Sequence, residues 1–320
     1  MTTSTRSQTR TAHLLLLAVV LVWGTTFTLV KAALADASPL LFNLLRMSLA
    51  FAVLAAINFR TLRSATRQDL AYGTVAGIFL GLGYQFQTAG LALTTASKSA
   101  FITGLVVVIV PVLSLIPGAR PAAMHAPRWS GFAGALIAFS GLILLTTPAG
   151  SGSALFSGIG LGEALTLGCA VAFAAHLLTL GHAARITSAR TLGTVQIGVA
   201  ALLMLVTLPL GGHPSLHLSP RLILALAITS LLATAAAFTI QSWAQQHLSP
   251  THTALIFTLE PVFAWLTSLL FLHDRLGGRA LSGAGLILSG ILITELWPAA
   301  SPHSLHPISE EIGGGDLNAH

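Results

Sequence analysis

The sequence predicts an all-α integral membrane protein, with ten transmembrane helices arranged as two inverted five-helix repeats. Three observations carry this. Of the 320 residues, 54% are hydrophobic and only 8% charged, with a mean hydropathy of +0.84. Soluble domains carry roughly 25% charged residues, so this chain cannot solvate a globular surface and takes lipid as its solvent. Second, the apolar residues fall into ten segments of about the 20 residues needed to cross a bilayer. Third, the two halves of the chain align with one another.

The segments come in order. Residues 1–12 are polar and basic and read as a cytoplasmic tail. The stretch "MTTSTRSQTRTAHLLLLAVVLVW" has the charge pattern of a signal peptide, but "GTTFT" runs on into further apolar sequence, so it reads as a retained first span. The first five spans are 13–34, 39–58, 70–93, 96–116 and 130–147. A linker at 148–159 follows, containing "PAGSGSALFSG". The second five are 160–181, 191–211, 221–245, 250–272 and 280–297. The tail 298–320 is polar, acidic and rich in Pro and Gly, a composition that predicts disorder.

The repeat is visible residue by residue. "YQFQTAGLALTTASKSAFITGL" from Tyr84 aligns without gaps on "FTIQSWAQQHLSPTHTALIFTL" from Phe238. Gln87 falls on Gln241, Ala100 on Ala254, Ile102 on Ile256 and Leu105 on Leu259. At nearly the same offset "GALIAFSGLIL" meets "GAGLILSGILI", Trp23 falls opposite Phe173, Thr26 opposite His176 and Arg46 opposite Gln196. Five is odd, so the second copy lies inverted. With both termini cytoplasmic, the inner segments hold nine Arg (residues 6, 10, 60, 63, 67, 120, 128, 185 and 190), and the outer ends hold Lys31, Lys98, Arg221, Arg275 and Arg279, which is five. That asymmetry follows the positive-inside rule, although it reverses around the last two spans.

Several motifs carry a family resemblance. "VWGTTFTLVK", "LLFNLLRMSLAF", "TTASKSAFITGLVVVIVPVL" and "HTALIFTLEPVFAWLTSLLFLHDRL" resemble the drug/metabolite transporter superfamily, specifically EamA-domain transporters, over residues 13–297. The resemblance implies ten helices in two inverted repeats, a central cavity between them, and export of amino acids and other small metabolites or carriage of nucleotide sugars or drugs. It also marks a departure: a Gly-Glu-Arg-Leu element expected after the ninth span reads "LHDRL", with Asp274 in the glutamate position.

Inverted repeats place a substrate site near the midplane where the halves meet. Glu260 is the one carboxylate well inside a span, followed by Pro261. It shares a helix face with Thr253 and Phe257. Its two readings are a coupling or substrate-binding carboxylate, and an acceptor for backbone groups freed beside Pro261. Arg46 can clasp a substrate carboxylate or act structurally on carbonyls. Tyr84, Gln85, Gln87, Gln241, Trp243 and Gln245 offer hydrogen bonds and stacking to a small zwitterion, or hold helices together. Trp23 and Thr26 belong to the polar middle of the first span, where Thr can equally bond its own helix. His176 is a proton relay, a substrate donor or a packing residue. Gly73, Gly77 and Gly81 form a small-residue stripe for helix packing, and Gly134, Ser140, Gly283 and Ser289 point to a peripheral fifth and tenth helix bracing the fold or a homodimer.

The single cysteine, Cys169, lies in an apolar stretch, so the chain has no disulfide framework, and no third ligand accompanies its histidine pairs, so no metal is expected. No cofactor or nucleotide motif is present and no nucleic-acid partner is implied. The expectation is a secondary transporter in the inner membrane, exporting a small organic metabolite such as an amino acid by alternating access, with proton coupling through Glu260 or His176. The rivals are an uncoupled facilitator or channel, an integral membrane enzyme, which the four Asp, none within a span, disfavour, and a non-transporting scaffold.

Overall fold

The computed structural model describes residues 3–121, 129–146, 159–183, 186–248, 253, 256–257 and 259–296. Most of the linker at 148–159 and all of the tail at 298–320 lie outside them. Among the described residues the chain is helical, with one isolated bridge between Ala37 and Leu216 and no strand.

A helical body stands at each of the ten predicted segments. In the first half these are α1 (Thr3–Ala33), α2 (Pro39–Ile57), α4 (Arg67–Leu93), the broken pair α5 (Ala96–Gly104) and α6 (Val106–Leu113), and α7 (Trp129–Thr146); a short α3 (Phe59–Arg63) lies between α2 and α4. In the second half they are α8 (Leu161–Ala183), α9 (Ala189–Thr207), α10 (Pro220–Ala227) continuing through a π-helix (Ile228–Ala236) into α11 (Ala237–Ala244), then α12 (Glu260–Phe271) and α13 (Gly278–Leu296). Helix α1 starts well before residue 13, because nothing in the polar stretch ahead of it breaks a helix. Six bodies are long and apolar enough to cross a membrane: residues 8–33, 39–57, 96–113, 161–183, 189–211 and 220–244. Three more are apolar but shorter, at 132–146, 260–271 and 278–293. Helix α4 has 27 residues but carries Gln, Tyr, Thr and many Gly, which dilute its hydropathy.

Local chemistry sets the helix ends. Thr66 and Asp69 make a reciprocal capping box at the start of α4: Thr66 Oγ1 accepts from Asp69 N at 3.1 Å and Asp69 Oδ2 accepts from Thr66 N at 2.9 Å. The other oxygen, Oδ1, accepts from Ser188 N at 2.8 Å, which pins the start of α4 to the start of α9. At the opposite end Lys31 Nζ closes the C-terminus of α4, donating to Leu91 O and Thr94 O, each at 2.7 Å. Asp274, the residue in the expected glutamate position, accepts from Ser97 N and from Ser268 Oγ, each at 3.2 Å. It therefore joins the loop after α12 to the first turn of α5, where a carboxylate also suits the helix dipole.

The packing is paired across the two halves. Helix α4 packs on α8 and α9, and in mirror fashion the α10–α11 body packs on α1 and α2. Segments α5 and α6 pack on α8 as α12 packs on α1, while α7 and α13 pack on each other. Glycines set the closest approaches. A Cβ on Gly73 would lie 2.5 Å from Val195 Cγ1 and one on Gly77 2.7 Å from Gln196 O, so the stripe on α4 is the α9 interface. A Cβ on Gly283 would lie 2.5 Å from Leu145 N, and one on Gly290 would meet Gly134 O. Ser140 and Ser289 are not in that seam. Both are exposed and bond their own helices, to Leu136 O at 2.9 Å and Gly285 O at 2.8 Å.

Candidate functional site

Two helices are interrupted at matching places. The fourth body breaks at Leu105, between α5 and α6. The ninth breaks at Leu259, directly before α12. These two residues fall on one another in the internal alignment, and each is followed by the first residue of a new helix, Val106 and Glu260. Pro261 at the start of α12 explains one break, since proline is tolerated in a first helical turn and not in an interior. Pro261 Cγ would lie 3.1 Å from a Cβ on Gly104, so the two breaks lie against each other.

Between the halves lies a cavity with about 730 Å³ of empty space, its mouth included. Eight of the sequence-predicted site residues line it: Trp23, Thr26, Arg46, Tyr84, Gln87, His176, Gln241 and Glu260. Gln85, Gln245 and Trp243 do not. Trp243 stands two residues from Gln241, some 200° round the helix, and stacks against His247 with ring centroids 4.6 Å apart.

Arg46 is buried, and its partners are neutral. Nε donates to Thr234 Oγ1 at 2.7 Å, and Nη2 donates to Tyr84 Oη at 3.0 Å and Ala233 O at 3.4 Å. The guanidinium carbon also lies 4.2 Å from the Tyr84 ring centroid. Among the described residues no carboxylate pairs with it; the ion pairs are Lys98 with Glu163 and Arg221 with Asp36. Ala233 and Thr234 belong to the π-helix, whose wide turns commonly mark functional sites. Trp23 Nε1 donates to the same Ala233 O at 2.8 Å.

On the second-half side, His176 Nε2 pairs with Gln196 Oε1 at 2.7 Å, and Gln196 Nε2 donates to Ser242 Oγ at 3.5 Å. Arg46 and Gln196 are repeat counterparts, so each half places a polar residue on its second helix against a neighbour's side chain. Thr26 Oγ1 donates within its own helix, to Trp23 O at 2.7 Å, which is the backbone-bonded alternative for that residue. Gln241 Oε1 is buried and has no partner. Glu260 lines the cavity, and among the described residues neither a hydrogen bond nor an ion pair reaches its carboxylate. Among the described residues, no backbone donor at the Pro261 break reaches it.

Phe173, Phe238 and Phe257 were not read as site residues from the sequence, yet they form the apolar walls. Phe238 sits at the centre of an aromatic group, with centroids 5.4 Å from Trp23, 6.1 Å from Tyr84 and 5.8 Å from His176. Phe257 lies 5.3 Å from Trp23 and Phe173 lies 5.2 Å from Tyr84. The signal that could have found them was the internal alignment itself. Trp23 and Phe173, Thr26 and His176, Phe27 and Leu177, Tyr84 and Phe238, Gln87 and Gln241, Thr103 and Phe257, and Val106 and Glu260 are repeat counterparts, and all line the cavity. In the last of these pairs one half offers a valine and the other an acid.

Comparisons with known proteins agree with this geometry. The EamA-like transporter family matches residues 10–147 and again 160–296, once for each half. A protein of Archaeoglobus fulgidus, named an uncharacterized transporter, is 33% identical over 287 residues, covering 89% of this chain and 86% of its own. A second uncharacterized transporter of the same organism is 24% identical over 293 residues, covering 88% of this chain and 96% of its own. A solved crystal structure superposes with a TM-score of 0.63 at 19% identity, covering 90% of this chain and 97% of its own, a likeness of fold.

Proposed function

The chain belongs to the EamA-like transporter family, and from that premise we propose that it exports a small organic zwitterion, an amino acid or related compound, by alternating access. One observation carries the choice of substrate. Among the described residues, the wall of a single cavity holds a half-buried carboxylate that no hydrogen bond or ion pair reaches, Glu260, and a buried guanidinium that no carboxylate pairs with, Arg46. A buried charge costs several kcal/mol unless something complements it. An ammonium and a carboxylate on one small molecule would complement both. The aromatic group around Phe238 adds a stacking and cation–π surface for the remainder.

In this reading ten helices cross the inner membrane with both termini cytoplasmic. The two halves rock about the breaks at Leu105 and Leu259. Glu260 exchanges a proton against substrate, since no nucleotide-binding motif offers another energy source. The enzyme reading has little support, because among the described residues no group of three His, Cys, Asp or Glu could hold a metal and no second carboxylate stands beside Glu260.

Proteoliposomes test the proposal. Vesicles loaded with a mixture of unlabelled amino acids should accumulate an external labelled one by counterflow, and an imposed proton gradient should drive net movement. Equilibration without trans-stimulation would instead identify a channel. Inactivity toward every amino acid, together with transport of a simple amine or a simple carboxylate, would reject the zwitterion. Overexpression in cells challenged with toxic amino-acid analogues narrows the side chain.

A further inference from the structure

The cavity is symmetric in most of its lining and lopsided in the rest. Four lining residues have repeat counterparts that do not line it: Val30, Arg46, Thr88 and Leu91. All four lie toward the end of the bundle where α1 and α4 finish, the end that Lys31 closes by bonding Leu91 O and Thr94 O. Their counterparts are Leu180, Gln196, Ser242 and Gln245, toward the opposite end, where α8 and α11 finish. Both sets are buried, but only the first lines the cavity.

Gln245 is the informative one. It is the counterpart of Leu91 and stands one turn beyond Gln241 on the same helix face. Its side-chain nitrogen and its oxygen are both buried, and among the described residues neither has a partner. Gln241 Oε1, one turn nearer the cavity, is also unpartnered. Buried amides are almost always satisfied, and an orphaned one costs stability. A leucine serves at the matching place in the first half. A glutamine retained in the interior at a cost fits a residue that is wetted in another state.

We propose that Leu180, Ser242 and Gln245, continuing from Gln241, form the closed half of the permeation path. When the halves exchange conformations, these residues take the places that Val30, Thr88 and Leu91 hold now. The orphaned amides of Gln241 and Gln245 then bond water and the polar groups of the passing substrate. The inference rests on the alternating-access reading above and adds which residues line the second path.

Cysteine accessibility tests it without knowledge of the substrate. The chain's one cysteine, Cys169, is fully buried and is replaced by alanine to give the background. Val30→Cys, Leu91→Cys, Leu180→Cys and Gln245→Cys are each exposed to a membrane-impermeant maleimide in right-side-out and inside-out vesicles. Ala183→Cys and Leu248→Cys serve as controls. They are buried at the same end as Gln245, and their counterparts, Ala33 and Thr94, do not line the cavity. Val30→Cys and Leu91→Cys should react from one face, and Leu180→Cys and Gln245→Cys from the other, with the controls protected. Reaction at the controls but not at Leu180→Cys or Gln245→Cys would overturn this path while leaving alternating access intact. Protection of all four positions at that end would overturn both. Gln245→Leu gives a reading independent of labelling. With no hydrogen bond to lose, it should raise Tm while slowing transport, and a fall in Tm would show that the amide has a structural partner and sink the proposal.

Discussion

At the scale of single residues, Glu260 and Arg46 were legible in the sequence as in-span charges but not in their roles. A charge within an apolar segment is conspicuous anywhere, whereas its partners come from helices distant in sequence. Arg46 reaches Thr234 and Tyr84, and no local pattern shows that it has no carboxylate. Glu260→Gln should hold or raise Tm, because among the described residues no hydrogen bond to the carboxylate is lost. It should abolish proton-driven export while sparing exchange in the absence of a gradient. A thermal melt and a paired transport assay decide the matter, and a destabilised variant would return Glu260 to an architectural role. For Arg46→Met two terms compete. Two hydroxyls lose a partner, at about 1–3 kcal/mol each, and a buried cation without a counter-charge is removed, a relief of about several kcal/mol. The two are of similar size, so Tm should change by only a few degrees while substrate recognition is lost. A drop in Tm of many degrees would mark a purely structural arginine.

At the scale of elements, the small-residue patterns were legible and their pairings only partly so. The seam between α7 and α13 contains Gly134, Gly141, Gly283 and Gly290, whereas Ser140 and Ser289 point away from it. A one-dimensional match places residues in equivalent registers, and only the crossing of two helices says which register meets the partner. Gly283→Ala would set a Cβ 2.5 Å from Leu145 N, so the helices must part, at about 1–3 kcal/mol for overpacking. Gly285→Ala, two residues on and with nothing within 4 Å of a Cβ, should be neutral. Equal melting temperatures for the two variants would show that the seam gives way freely.

The loop before α2 supplies a pH-dependent tie. Asp36 accepts from Ser219 Oγ at 2.7 Å and from Arg221 Nη2 at 2.8 Å, joining that loop to the start of α10. The Ser219 hydroxyl first, and Arg221 second, hold its carboxyl below the usual aspartate range. A lowered folded pKa gives stability that is present above the unfolded value, near 4, and is lost as pH falls through the folded value. Asp36→Asn should therefore melt below the wild type at neutral pH, with the gap closing in acid below that range. Arg221 is half exposed, so the gap is small and shrinks with salt. A gap that persists unchanged in acid would reject the ionic account.

At the scale of the whole molecule, the proposed topology has an even number of crossings. A reporter that fluoresces only in the cytoplasm should light when fused at either terminus. A dark, correctly inserted C-terminal fusion would mean an odd count and would remove the inverted-repeat argument. Helix length alone does not decide this, because three of the ten bodies are shorter than a span and α4 is too polar to count by hydropathy. The pairing of α4 with α8 and α9 against that of the α10–α11 body with α1 and α2 is what favours an inverted second half.

By itself the sequence determined the solvent, the helical class, the two halves and most of the polar residues around the central cavity. Composition and repeat register are one-dimensional properties, and the bilayer leaves a backbone little choice but to satisfy itself as helix. The tertiary structure alone decided three things. It turned Trp243 away from the cavity, because a helix face is chosen by its neighbours. Among the described residues it left Glu260 without a partner, because satisfaction is a matter of distance. And it extended the cavity lining toward the end where α1 and α4 finish, at Val30, Thr88 and Leu91, and not toward the end where α8 and α11 finish. The two repeats are close to equivalent as sequences, and one chain in one conformation must break that equivalence by packing one end shut.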